Sequence, residues 1–284
     1  MSRMLMILFV CLSLSCLVQV SDSSAQETRD QKYPADYHEV ETDPQAGEGI
    51  QKYAIDGQEG PQKNFGVQPI HDNQVFATFK ADRFEHQWRE KGHELLLWDV
   101  IGWVGNDYNK LFLESEGEYS LDADQFEEAG VELLYGRTMA KFWDLQAGVR
   151  HDFEPRPSRS FLAFGFQGLA PQWFEVDATG YVSEDGDVSA MLEAEYELLI
   201  TQRLAVSPRL EVGFSAQDVP EYESWQGITD ITLGCRLMYH FRREFAPYVG
   251  VTWNRKIGET GHNIDKEGGD VDSAAIVAGL RFWF

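Results

Sequence analysis

Long stretches of two-residue alternation constrain the fold of this chain more than any other feature of its sequence. Between Lys110 and Ser120, the residues Glu114, Glu116 and Glu118 alternate with apolar or small residues. A β-strand points successive side chains to opposite faces, so these three glutamates share one face. The same pattern recurs over residues 189–199 and 204–215. The sequence therefore predicts strands that have one apolar face and one acidic or polar face.

The length and number of these segments favour a transmembrane barrel. A soluble β-sandwich also alternates, but its strands typically have about five or six residues. A strand needs roughly 9 to 11 residues to cross a bilayer at a tilt, and the segments here are that long. We predict an all-β fold, an antiparallel up-and-down β-barrel of about twelve transmembrane strands, whose even number returns both ends to one side. The predicted strands are 73–86, 93–105, 110–121, 124–137, 141–153, 159–168, 172–182, 188–199, 204–215, 227–240, 245–257 and 273–284.

The predicted connections alternate in length along the chain. Those at 106–109, 138–140, 169–171, 200–203 and 241–244 are short, and those at 87–92, 152–158, 183–187, 216–226 and 258–272 are mostly longer. Short periplasmic turns and longer external loops are typical of outer-membrane barrels. The brief link at 121–124 is the exception. Closure of such a barrel pairs every strand edge, which the hydrocarbon phase of a membrane requires.

The last predicted strand carries an unbroken apolar face that ends on an aromatic residue. Its members are Ala274, Ile276, Ala278, Leu280, Phe282 and Phe284. A terminal phenylalanine on an alternating strand resembles the signal by which outer-membrane barrels are recognised for assembly. This strand therefore supports a location in the outer membrane.

The N-terminal residues predict a secreted protein. An apolar run over residues 4–20 follows Arg3 and precedes small residues at the positions that a signal peptidase reads. We predict a signal peptide over residues 1–25. Residues 26–72 are polar and lack apolar periodicity, so we expect a flexible periplasmic extension before the barrel, which takes residues 73–284.

Cysteine usage and charge narrow the function classes. Cys11 and Cys16 lie within the predicted signal peptide and leave Cys235, which excludes a disulfide framework and a cysteine zinc site. The formal net charge of −23 opposes binding to nucleic acid, because the field of the protein repels phosphates. Cations are the expected partners, together with the lipid of the outer membrane.

Three segments resemble the copper resistance protein B family. They are FKADRFEHQW at residues 79–88, LWDVIGWVGNDYNKLFLESEG at residues 97–117 and FAPYVGVTWNRK at residues 245–256. The resemblance covers the predicted barrel. It implies an outer-membrane component of a Gram-negative copper-tolerance system, which works beside periplasmic copper-handling proteins without covalent chemistry. We expect a non-enzymatic monomer that binds copper ions or mediates their passage, with no organic cofactor.

The extension departs from the family pattern. Members often carry a segment rich in Met and His there, whereas residues 26–72 contain His38 and His71 and no Met. Copper(I) prefers thioether and thiolate ligands, and copper(II) favours imidazole and oxygen. We therefore expect the barrel to supply any copper ligands.

Strand parity gives two candidate metal clusters in the lumen. The first comprises Asp82, His86, Asp99, Glu114, Glu116 and Glu118, on three strands that are neighbours in sequence. The second pairs Met238 with His240, two residues apart on one strand and close to a periplasmic turn. Met191 shares the face of Glu193.

Three alternatives stay open from the sequence. The glutamates can form a salt-bridged packing with basic residues that parity also directs inward, namely Lys110, Arg137, Arg150, Arg209, Arg236 and Arg281. Rings of acidic side chains also suit a general cation-selective porin. An outer-membrane phospholipase would use His151 and Ser160 on the outer wall, although the sequence offers no evident Asn or acidic residue to orient the histidine.

Overall fold

The alternating segments form long antiparallel β-strands in the computed structural model, which describes residues 74–284. The predicted signal peptide and extension lie outside the described residues. The strands are β1 Phe76–Arg89, β2 Leu95–Gly105, β3 Asn109–Ser120, β4 Gln125–Ala140, β5 Trp143–Glu154, β6 Arg159–Ala170, β7 Phe174–Ser183, β8 Val188–Glu195, β9 Leu198–Leu199, β10 Leu204–Ser215, β11 Gly227–Tyr239, β12 Phe245–Lys256 and β13 Asp272–Trp283. One α-helix, α1 Gly258–Glu267, and two short 3-10 helices, Pro171–Trp173 and Pro220–Tyr222, occupy connections.

The sheet closes on itself to form a barrel. Strands that are consecutive in sequence pair with each other, β13 pairs with β1, and β8 and β9 both pair with β10, so these two short strands act as one. The last residue takes part in closure, because Phe79 and Phe284 exchange two backbone hydrogen bonds of 2.9 and 3.0 Å. The prediction of a closed antiparallel barrel of twelve strands is confirmed.

The distribution of polar and apolar residues is the reverse of that in a soluble protein. Charged side chains fill the interior, where those of Glu85 and Arg236 are 0% and 4% exposed. Large apolar side chains cover the outer wall, where Phe164 is 58% and Ile276 is 62% exposed. An apolar exterior and a polar interior on alternate residues are typical of transmembrane β-barrels.

The two ends of the barrel differ. The terminal rim holds both ends of the described barrel and the connections 106–108, 141–142, 171–173, 200–203 and 240–244. The loop rim holds the connections 90–94, 121–124, 155–158, 184–187, 216–226 and 257–271. Strands β1 and β5 continue beyond their predicted ends, so several expected long loops are short. The difference in connection length between the two rims comes from the loops 216–226 and 257–271.

A helix lies where the sequence analysis predicted an irregular loop at 258–272. Helix α1 ends at Gly268, whose φ of 80° is in the left-handed region that glycine adopts readily. Its residue Thr260 is fully buried and accepts a hydrogen bond from the backbone N–H of Trp225 at 3.1 Å. The helix is therefore tied to the neighbouring loop 216–226. No helix among the described residues is long and apolar enough to cross a membrane.

A β-bulge in β1 overturns one predicted orientation. The pairing of β1 with both neighbours shifts just after Ala81, so one extra residue is inserted there. Asp82 faces the lumen as predicted, but beyond the bulge Glu85 faces inward and His86 faces outward. The inward orientation predicted for His86 is wrong, because a one-residue insertion moves every later side chain to the other face.

The inward orientation predicted for Arg137 is also wrong. On β4 the inward residues include Leu134 and Gly136, and Gly136 pairs with Lys110 of β3. Arg137 therefore shares the outer face with Tyr135, and both are exposed.

The burial pattern predicts the cost of placing a charge on the outer wall. Phe164 lies at the middle of β6, so Phe164→Arg should destabilise the barrel by about 2–4 kcal/mol, the cost of arginine facing lipid at the bilayer midplane. Urea unfolding in phospholipid vesicles measures this change. The control Gln167→Arg lies on the lumen face of the same strand, opposite Asp177, and should cost much less. Equal losses for both variants would contradict the assignment of the two faces.

Candidate functional site

Arginine–carboxylate ion pairs cross the centre of the barrel. The side chain of Arg209 on β10 is 5% exposed and contacts carboxylates on four strands. Its partners are Asp82 at 3.0 Å, Asp99 at 3.5 Å, Glu195 at 3.2 Å, Glu211 at 2.7 Å, and Glu193. Strands β10 and β1 are separated by three others in the sheet, so the contact with Asp82 spans the lumen.

Other arginines reinforce this crossing. Arg83 donates to Asp99 at 3.1 Å and to Glu211 at 2.8 Å. Arg281 on β13 donates to Glu195 on β8 at 2.7 Å, which is a second contact across the lumen. Buried charges are tolerated when each one is paired and hydrogen-bonded. The ion pairs therefore pack this part of the interior rather than leave a wide channel.

A fourth arginine pairs within the same packed region. Arg236 donates two hydrogen bonds of 2.9 Å to Glu85, and the hydroxyl of Tyr248 donates to the same carboxylate at 3.0 Å. All three side chains are at most 4% exposed. Glu85 is thus a buried structural carboxylate that its neighbours already pair and hydrogen-bond.

Beside the ion pairs, the lumen contains a polar cavity of about 150 Å³, which we call the inner chamber. Its carboxylates are Asp82, Asp99, Glu114, Glu116, Glu132, Glu175, Asp177, Glu193 and Glu195. Its basic residues are Lys80, Arg150 and Arg209. Carboxylates outnumber cations, so the chamber attracts cations and repels anions.

Cross-strand pairing places like charges directly opposite each other in this chamber. Glu114 pairs with Glu132, and Asp177 pairs with Glu193. Opposed like charges destabilise a sheet unless a counter-charge lies between them. Arginines contact Glu132 and Glu193. Within residues 74–284 no salt bridge reaches Glu114 or Asp177, although Asp177 accepts a hydrogen bond of 2.9 Å from Thr179.

Most residues of the first predicted cluster lie together. Asp82, Asp99, Glu114 and Glu116 line the inner chamber. Glu118 also faces inward but lies closer to the loop rim, where Arg89 donates to it at 3.1 Å.

His86 lies outside this cluster, on the outer wall. Its Nε2 atom is 3.3 Å from a carboxylate oxygen of Glu94, and its ring centre is 4.3 Å from that of Trp88.

The second predicted pair faces the lumen, and its two residues have different neighbours. Met238 is fully buried in an apolar cluster with Ala205, Ala246 and Tyr248. His240 lies at the terminal rim, where its Nε2 atom is 3.5 Å from Glu197. The thioether is enclosed by the cluster, so Met238 serves packing in this structure.

The chamber offers metal donors without forming a closed metal centre. Among the described residues no group of three or more His, Cys, Asp or Glu side chains is arranged to hold a metal ion. Met191 adds a thioether to the carboxylates of the chamber. The metal-binding role of the eight candidate residues stays a prediction.

Several residues of the inner chamber were not predicted from the sequence. Glu132 and Asp177 line the chamber from β4 and β7, and Tyr181 lies beside them. Alternation within β4, where Glu128 and Glu132 share a face with Gly130, would have indicated an inward carboxylate. The pairing of these residues with Glu114 and Glu193 depends on strand register, which alternation alone does not give.

The residues considered for a phospholipase do contact each other. The Nδ1 atom of His151 is 3.0 Å from the hydroxyl of Ser160, and the two residues are cross-strand partners on the outer wall. The hydrogen bonds of residues 74–284 give His151 no carboxylate or amide partner. The arrangement lacks the third group that orients the histidine in a catalytic triad.

Sequence comparison finds relatives that match the described barrel. The family described as "Copper resistance protein B precursor (CopB)" matches residues 75–284. A copper resistance protein B of Escherichia coli is 41% identical over 215 residues, which cover 76% of this chain and 72% of that protein. A copper resistance protein B homolog of Pseudomonas syringae pv. tomato is 40% identical over 215 residues, with the same coverage.

Structural comparison finds barrels of low sequence identity. A NanC porin structure has a TM-score of 0.49 and 11% identity, and the match covers 72% of this chain and 98% of the porin chain. A KdgM porin has a TM-score of 0.43 and 10% identity, with the same coverage.

The ion-pair geometry predicts a strong effect of removing Arg209. The variant Arg209→Gln leaves several buried carboxylates without their counter-charge, which should cost about 3–5 kcal/mol of stability. The control Arg156→Gln removes an exposed arginine that contacts Glu154, and should cost about 1 kcal/mol or less. Unfolding by guanidinium in detergent micelles measures both. A loss for Arg209→Gln no larger than that of the control would refute the central role of this arginine.

Proposed function

Because the chain belongs to the copper resistance protein B family, we propose that its barrel binds copper ions or mediates their passage through the acidic lumen. The protein would act in the outer membrane of a Gram-negative bacterium, where it contacts lipid through its apolar outer wall. The terminal rim would face the periplasm and the proteins that handle copper there. This function requires no covalent chemistry.

The inner chamber carries the proposal. Glu114 and Asp177 point carboxylates into it that form no salt bridge within residues 74–284. A cation that enters would compensate their charge and relieve the repulsion from the carboxylates opposite. Carboxylate oxygens suit copper(II), and the thioether of Met191 suits copper(I). The chamber can therefore accept either oxidation state.

The loop rim supports entry of cations from outside. The connection 184–187 contains Glu184, Asp185 and Asp187 and no basic residue. The loop 216–226 adds Asp218, Glu221 and Glu223. An acidic mouth raises the local concentration of cations and speeds their arrival.

Copper titration of the refolded protein tests the chamber. Replacing both unpaired carboxylates, in Glu114→Gln/Asp177→Asn, should weaken copper binding by about 10-fold or more, because it removes candidate ligands and the charge that favours a cation. The control His151→Gln changes a histidine on the outer wall that is not among the candidate ligands, and it should bind like the wild type. Calorimetry measures the affinities, and growth on copper salts shows the effect on tolerance. Unchanged binding by the double variant would contradict the proposal.

Deleting residues 26–72 tests whether the barrel supplies the ligands. That segment has His38 and His71 and no Met, so the shortened protein should retain saturable copper binding. Loss of all binding on deletion would assign the site to the extension. Non-saturable uptake by both forms would instead indicate a general cation-selective porin.

A further inference from the structure

A second cavity lies between the inner chamber and the loop rim. This outer chamber has a volume of about 210 Å³ and includes Glu128, Glu154 and Tyr222 in its lining. Tyr222 belongs to the loop 216–226, and its ring lies 4.1 Å from the guanidinium of Arg159. The loop 216–226 therefore lines this chamber on the side of the loop rim.

The two chambers meet at three residues. Glu116, Gly130 and Arg150 line both cavities. Among these, Arg150 has the long cationic side chain. These three shared residues form the boundary between the two chambers, which we call the neck.

Carboxylates hold the guanidinium of Arg150 in the neck. It lies 2.7 Å from Glu116, 3.1 Å from Glu132 and 2.7 Å from Asp152. The guanidinium carbon is also 5.3 Å from the centre of the Tyr181 ring, which is a cation–π distance. Arg150 thus occupies the place that a free cation would take among these carboxylates.

The neck depends on the absence of a side chain at Gly130. A Cβ atom there would lie 2.7 Å from a carboxylate oxygen of Asp152 and 3.4 Å from a guanidinium nitrogen of Arg150. Glycine therefore leaves the space in which Asp152 and Arg150 meet. The fold makes room for this ion pair between the two chambers.

We propose that Arg150 gates the path between the chambers and selects divalent over monovalent cations. The proposal rests on the proposed function of the lumen. An entering cation must displace the guanidinium from Glu116, Glu132 and Asp152. A divalent ion gains about twice the Coulomb energy of a monovalent ion at the same site, so it competes better with the tethered positive charge.

Conductance in planar lipid bilayers tests the gate without using copper. The full mature protein is measured in potassium chloride and then in mixtures with magnesium chloride. Arg150→Gln should raise the potassium conductance several-fold and reduce the preference for magnesium, because the neck loses its tethered cation. Arg156→Gln removes an exposed arginine of the loop rim and should match the wild type.

A second variant keeps the test valid if Arg150→Gln fails to fold. Arg150→Gln/Asp152→Asn removes one carboxylate together with the arginine and so restores part of the charge balance. It should show the same rise in potassium conductance. Heat-dependent mobility in electrophoresis reports folding of each variant.

Different results would contradict the gate and the copper function. A folded variant whose potassium conductance and selectivity equal those of the wild type would overturn the gate, even if copper titration shows binding. Absence of copper binding in all proteins, with a raised potassium conductance for Arg150→Gln, would refute the copper function and support the gate.

Discussion

The absence of water in the hydrocarbon phase is the constraint on which the rest of the structure depends. Every backbone N–H and C=O group there must pair within the protein, and closure of β13 on β1 achieves this. Apolar side chains therefore face the lipid, and the two-residue alternation of a strand places the polar side chains in a narrow lumen. Charged groups are consequently buried against each other, and their mutual compensation becomes the second condition for stability.

That compensation is incomplete among the described residues, and the proposed copper site lies where it is incomplete. Carboxylates on β1, β8 and β10 are neutralised by Arg209, Arg281 and Arg83, respectively. Among the described residues no salt bridge reaches Glu114 or Asp177, which lie opposite Glu132 and Glu193 on neighbouring strands. Repulsion between like charges lowers the stability of the fold, and a bound cation would reduce this repulsion. These two carboxylates are the basis of the proposed copper site.

Alternation predicted the closed barrel of twelve strands and the inward face of Glu114, Glu116 and Glu118, because the period of a strand fixes which side chains share a face. It placed His86 wrongly because a bulge after Ala81 adds one residue that leaves no mark in the pattern. The pairing of Glu114 with Glu132 was not predicted, for another reason. Contacts between strands depend on register, which closure of the whole sheet sets.

The same arginine–carboxylate chemistry supports two different roles, and exposure separates them. Arg209 and Arg236 have side chains that are 5% and 4% exposed, so displacing either would leave its buried partners without compensation. Arg150 is 19% exposed and borders two cavities that can hold water and ions. When its guanidinium moves away from Glu116, solvent or a cation can take its place. Exchange with a cation is therefore proposed for the more exposed Arg150, and a structural role for Arg209 and Arg236.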